Sequence, residues 1–218
     1  MKLNLNLLKK QADQVEPAIS TDPAANATRS KIIDAALETF ARKGYHDTKM
    51  DEIADESGTS KGAIYFHFPS KEKLFLGLVN EFANLLERRV IEAIELAPQG
   101  MERVEIALST CLQTFEKYRR YAKVLLIQAV GLGVAFEEAR TLVNDRFARL
   151  IGRYLQEAID QQQIAPVDVE VISLAWMGAI YALIIRWVTT NEPAPDKILQ
   201  ALVPALLRSV GYNKTLGK

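Results

Sequence analysis

Two short amphipathic segments that meet at a glycine constrain this chain more than any other feature. Thr48 to Gly58 reads TKMDEIADESG, and Ser60 to Phe68 reads SKGAIYFHF. Isolated helices shorter than ~12–15 residues are marginal in water, so neither segment can stand alone. Each must brace the other against a third element. That element lies upstream, where Ile33, Ala36, Leu37, Phe40 and Ala41 recur on one helical face from Ala27 onward and Gly44 follows Arg42-Lys43 as a stop. Thr48, with Asp51 three positions on, has the spacing of a capping box. Gly58 can take positive φ in the bend at little steric cost, and Ala54 is small where the two short helices must cross. Ser60 is placed to cap the second of them. Ile64 and Phe68, four apart, then point inward with Ile53 and Phe40, which turns Lys61, Gly62, Tyr65 and His67 outward.

The rest of the chain also reads as helix. Ser70 caps a long segment whose Phe75, Leu78, Phe82 and Leu85 keep helical rhythm up to a stop at Pro98-Gln99-Gly100. Further helices are expected near 101–117, 120–131, 135–163, 167–190 and 195–210, with Pro204 inside the last. No β-branched alternation bounded by turns appears, so the fold class is all-α. The expected divisions are an N-terminal arm (1–26, one helical turn near Leu3–Leu8), a three-helix head (27–74) and a helical body (75–218). Cys111 is the single cysteine, which excludes an internal disulfide or a cysteine zinc cage and points to a reducing, cytoplasmic setting. Residues 1–10 lack a secretory pattern. The longest uncharged run, Val171 to Ile185, has 15 residues where a spanning helix needs ~20, so no membrane partner is expected.

The outward face of the second short helix suits a duplex. Lysine and hydroxyl groups pair with phosphates, and a side-chain-free glycine permits close approach. Lys71 adds a donor at the start of the next helix. Lys+Arg (27) balances Asp+Glu (27), yet Lys61, Lys71 and Lys73 against Glu72, and Arg42, Lys43 and Lys49 against Asp47, leave two locally positive stretches. The acids Asp51, Glu52, Asp55 and Glu56 cluster on the first short helix. Taken together, TKMDEIADESGTSKGAIYFHFPSKEKLF resembles the signature of TetR-family transcriptional regulators over roughly residues 28–76. The resemblance implies that the second short helix enters the major groove and that Tyr65 and Lys71 grip phosphates. It implies further contacts from Thr48, Lys49, Thr59, Ser60, Lys61, Gly62 and His67. Thr59 replaces the apolar residue usual in the turn, so its hydroxyl needs a partner.

The body carries no comparable motif. Helix 167–190 is apolar nearly all round, with Ala175, Gly178, Ala179 and Ala182 in a smooth stripe, and helix 195–210 offers Ile198, Leu202, Val203 and Leu206. Both are expected to pair with a second copy, giving a homodimer that reads a palindromic operator in double-stranded DNA. An effector site implied by the resemblance would draw on Phe115, Tyr118, Tyr121, Phe147, Trp176 and Tyr181, with Gln128, Asn144, Arg146 and Arg149 as polar candidates. The long helix beside the Gly-Ala-Ile-Tyr and Arg-Trp runs is similar to bodies that sense fatty acyl thioesters, which favours an apolar or acyl inducer; an amphiphilic drug-like cation is the alternative. No cofactor or metal is implied. His46 and His67 are the only histidines, and no hydrolase, metalloprotease or phosphate-loop motif is present, so an enzyme is not expected. A helical enzyme or an interaction module with a degenerate head is the rival reading.

Overall fold

The computed structural model describes residues 23–97 and 100–212, and among them every regular element is helical. α1 (Pro23–Lys43), α2 (Met50–Ser57) and α3 (Lys61–His67) form the head, and α4 (Lys71–Glu95) runs from it into the body. The body continues with α5 (Met101–Lys117) and α6 (Arg119–Lys123), which widens into a π-turn over Val124–Gln128. It closes with α7 (Val134–Asp160), α8 (Val169–Thr190) and α9 (Pro195–Ser209).

α1 begins at Pro23, so residues 23–26 belong to a helix rather than to an arm; the turn expected near Leu3–Leu8 and the Pro98-Gln99 stop lie outside the described residues. The helix expected over 120–131 is replaced by α6 and the π-turn, which together bury Tyr121, Ala122, Val124 and Leu125. Widening a turn rotates the following residues, and π-turns of this kind recur where a helix must re-aim its face. α7 ends at Asp160 because Gln162 takes positive φ and the amides of Gln161, Gln162 and Gln163 fold back onto the carbonyls of Glu157, Ile159 and Ala158. Asp168 then caps α8 by accepting from the Val171 amide at 3.0 Å.

One buried cluster runs from Ile32 and Phe40 in the head through Phe75 and Phe82 on α4 to Phe136 and Phe147 on α7. The 74/75 boundary therefore falls inside both a continuous helix and a continuous core. A Cβ at Gly77 would lie 2.7 Å from the Phe68 ring, so glycine is what lets α4 sit directly on the end of α3. A second cluster joins α5, α7, α8 and α9 around Trp176, Ile180 and Leu206. By length and composition α8 could cross a membrane, but here it packs on α7, α6 and α9 through Trp176, Ile180, Ile184 and Trp187. Its opposite face exposes Val171, Leu174, Ala175, Gly178 and Ala182.

Candidate nucleic-acid interface and effector cavity

The glycine bend folds as its chemistry requires. Gly58 sits at φ 63°, its amide donates to the Asp55 carbonyl at 3.1 Å, and the Thr59 amide reaches the Ala54 carbonyl at 3.0 Å. Ala54, Ile53, Ile64, Phe68 and Phe40 are all buried, and Ser60 caps α3 by accepting from the Ala63 amide at 3.1 Å. The Thr59 hydroxyl finds its partner in Ser57, 2.8 Å away. Because Ser57 Oγ donates its one proton to the Ala54 carbonyl, Thr59 is the donor of that pair.

Holding Ile64 and Phe68 inward turns the other face of α3 to solvent. Lys61 and Gly62 are exposed, Tyr65 is 48% exposed and His67 half-buried. Phe66 is 82% exposed, the largest apolar group on this face, and sequence reasoning passed over it. Its position between Ile64 and Phe68 was the available signal, since a residue two away from each of two inward positions faces outward on a helix. Lys61 is tied to Asp51 on α2 at 2.6 Å, a bond that raises its pKa. Lys43 likewise pairs with Glu52 at 2.8 Å, holding that carboxyl below its usual range, and Arg42 meets Glu56 at 3.4 Å. The acids of α2 thus partly offset the two positive stretches. Burial and the nearby Arg29 push His67 below its ordinary value.

Two expected contacts are placed otherwise. Thr48 is not the cap of α2: Lys49 is, with its amide donating to Glu52 at 3.3 Å. Thr48 is buried, and its hydroxyl donates to the Gly44 carbonyl at 2.7 Å, closing the turn before α2. Lys71 is not a free phosphate donor. Its ammonium donates to the carbonyls of Tyr45, His46 and Thr48 at 2.7, 3.0 and 2.9 Å, and lies 4.6 Å from the centre of the Tyr45 ring. All three of its protons are engaged in clamping the 45–48 turn.

The body holds two adjoining apolar chambers of about 80 and 30 Å³ that share Cys111, Phe147, Met177 and Ile180. Of the expected effector residues, Phe115, Phe147, Tyr181 and Asn144 line them. The others serve elsewhere. Tyr121 stacks on Phe82 at 5.1 Å, Tyr118 packs edge-on to both rings, and Trp176 is buried with its indole N–H donating to Ser209 at 3.2 Å. Gln128 lies in the π-turn off the chamber wall, and Arg146 is bound to Asn84 and Glu87. Arg149 is exposed, away from both chambers. Arg140, which sequence reasoning missed, does line the larger one; nothing in its local sequence separates it from other surface arginines. Cys111 is so enclosed that its thiol is pushed up to about 12. Phe136 forms part of the chamber wall and also meets the head, 5.5 Å from the Tyr45 ring and 5.3 Å from Phe75.

Known proteins share both halves of this arrangement. Residues 32–78 match the family model described as bacterial regulatory proteins, tetR family. The chain is 36% identical over 203 residues to the HTH-type transcriptional regulator RutR of Escherichia coli O157:H7, covering 88% of this chain and 87% of that one. It is 26% identical over 188 residues to the fatty acid metabolism regulator protein of Bacillus subtilis, covering 84% and 95%. The crystal structure of FadR from Bacillus subtilis in complex with stearoyl-CoA superposes with a TM-score of 0.72 over 83% of this chain and 96% of that one, at 23% identity, which is a likeness of fold. These relatives are regulators of transcription, not enzymes. With the glycine-bent helix pair, the signature segment and a near-full-length relative in agreement, the chain belongs to the TetR family of bacterial transcriptional regulators.

Proposed function

We propose that this chain acts in the cytoplasm as a homodimeric repressor that binds a palindromic operator and is released when an apolar or acyl-type effector fills the body. The outward face of α3 carries the reading: Lys61, Gly62, Tyr65 and Phe66 project together from a helix whose other side is locked into the core. In that setting Tyr65 and Lys61 contact phosphates, Lys49, Ser60 and His67 flank them, and Phe66 offers an apolar surface for thymine methyl groups. Lys71 and Thr48 act one step back by fixing the turn that aims α2. The exposed stripe of α8 with Ala201 and Ala205 of α9 supplies a face for a second copy, which sets two α3 helices on one side of a duplex.

The larger chamber supports the effector role, and the acyl ligand held by the structurally similar Bacillus subtilis regulator supports its class. A lone cationic side chain on the wall favours this over an amphiphilic cation. Phe136 gives the coupling a physical contact, because a ligand that moves it presses on Tyr45, and Tyr45 sits under the Lys71 clamp. Selection of duplexes from a random pool tests the DNA reading. The expected result is an inverted repeat with half-site centres about 34–36 Å apart or a multiple of that. Enrichment of no duplex at low salt would overturn it.

A further inference from the structure

The chambers are apolar except at one end, where Arg140, Asn144 and Tyr181 gather, and Arg140 is the only charged residue lining either chamber among those described. Its guanidinium donates to the Tyr181 side chain and, through both Nε (3.0 Å) and Nη2, to a single oxygen of Glu137. Glu137 stands one turn back on α7, on the solvent side, where a Gly131 amide also bonds it. Two donors converging on one oxygen is not the two-pronged fit that a guanidinium makes best with a carboxylate. A half-exposed pair of neighbouring residues is also readily exchanged.

We propose, building on the effector role given to this cavity above, that the ligand is a free long-chain carboxylic acid whose head displaces Glu137 from Arg140. A carboxylate arriving from the chamber can accept both guanidinium prongs, with the Asn144 amide and the Tyr181 hydroxyl in reach of its oxygens. Its chain then runs along α7 past Cys111 and Phe147 toward Leu108 and Ile151. From Arg140 to Ile151 the helix advances about 16 Å, a length suited to a long unbranched chain and wasteful for a short one. A single cation matches one carboxylate charge, whereas the phosphates of a coenzyme A thioester would need several. Removing Glu137 from Arg140 also loosens the loop around Gly131, next to Phe136, where the chamber wall meets the head.

Calorimetric titration of the full chain with palmitate, 1-hexadecanol, octanoate and palmitoyl-coenzyme A tests this. Palmitate should bind about tenfold or more tightly than the alcohol or the short acid. Arg140→Gln should erase the advantage over the alcohol, with an unchanged thermal unfolding midpoint reporting that the variant is folded, and Glu137→Gln should tighten palmitate. Equal affinity for palmitate and hexadecanol, undiminished palmitate binding in Arg140→Gln, or a preference for palmitoyl-coenzyme A would overturn the carboxylate assignment and leave the acyl cavity standing. Binding of none of the four would overturn the cavity's acyl role as well.

Discussion

Lys71 carries three N–H donors, and three backbone carbonyls from the 45–48 turn take them. Such an ammonium holds the 45–48 turn in place ahead of α2. Lys71→Met should lower unfolding free energy by about 1–2 kcal/mol in urea titrations, the scale of charged hydrogen bonds in a half-exposed site. The slope of log affinity against log salt should stay unchanged, whereas loss of a true phosphate contact would reduce it by about 0.9. His67 makes a second residue-scale prediction. Its folded pKa lies below the ordinary 6.5 through burial and Arg29, so below pH 6.5 the unfolded chain takes up the proton first. Stability should therefore fall as pH drops from 6.5 toward the folded value. Denaturant titrations at pH 7.5 and 5.5 should show a smaller loss in His67→Gln than in the parent.

At the scale of elements, α7 does two jobs with adjacent residues. Phe136 joins the chamber wall to Tyr45 and Phe75 of the head, while Glu137 faces solvent and pairs with Arg140. A coupling of ordinary size, ~1–3 kcal/mol, is enough for ligand to change operator affinity by one or two powers of ten. Phe136→Leu keeps most of the apolar volume but loses the ring edges that meet Tyr45. Measured by fluorescence anisotropy on the operator, this variant should bind DNA like the parent yet lose most of its response to palmitate. An unchanged response would place the coupling elsewhere. α4 also spans both halves, since its first turn holds Lys71 and its middle holds Phe82 on the chamber wall.

For the whole molecule, the outstanding feature is an apolar helix half covered by its own chain. α8 buries Trp176, Ile180, Ile184 and Trp187 against the body and leaves Val171, Leu174, Ala175, Gly178 and Ala182 outside. Contiguous apolar surface of this kind marks an interaction site. Ala182→Arg places a charge at the carboxyl-terminal end of that stripe. Sedimentation velocity at micromolar concentration should show the parent as a dimer and this variant shifted to monomer, with operator affinity falling at the same time because both half-sites are no longer held together. A dimer surviving the substitution would move the interface away from α8.

Local chemistry sufficed for the head's outline. The glycine that must take positive φ, the serine caps of α3 and α4 and the inward Ile64/Phe68 spacing are all short-range rules, and each holds in the fold. So does the all-helical class, because helical periodicity is carried within each segment. What the tertiary structure decided depends on residues far apart in the chain. Whether Thr48 or Lys49 caps α2 is settled with Lys71, 23 positions on, holding the Thr48 carbonyl, and Lys61 is partnered by an acid from the neighbouring helix. Arg140 became a chamber residue only when α7 packed against α8 and brought Tyr181 beside it. A helix announces its own buried face through its spacing, but which neighbour meets that face, and which polar groups are trapped between them, is fixed by packing alone.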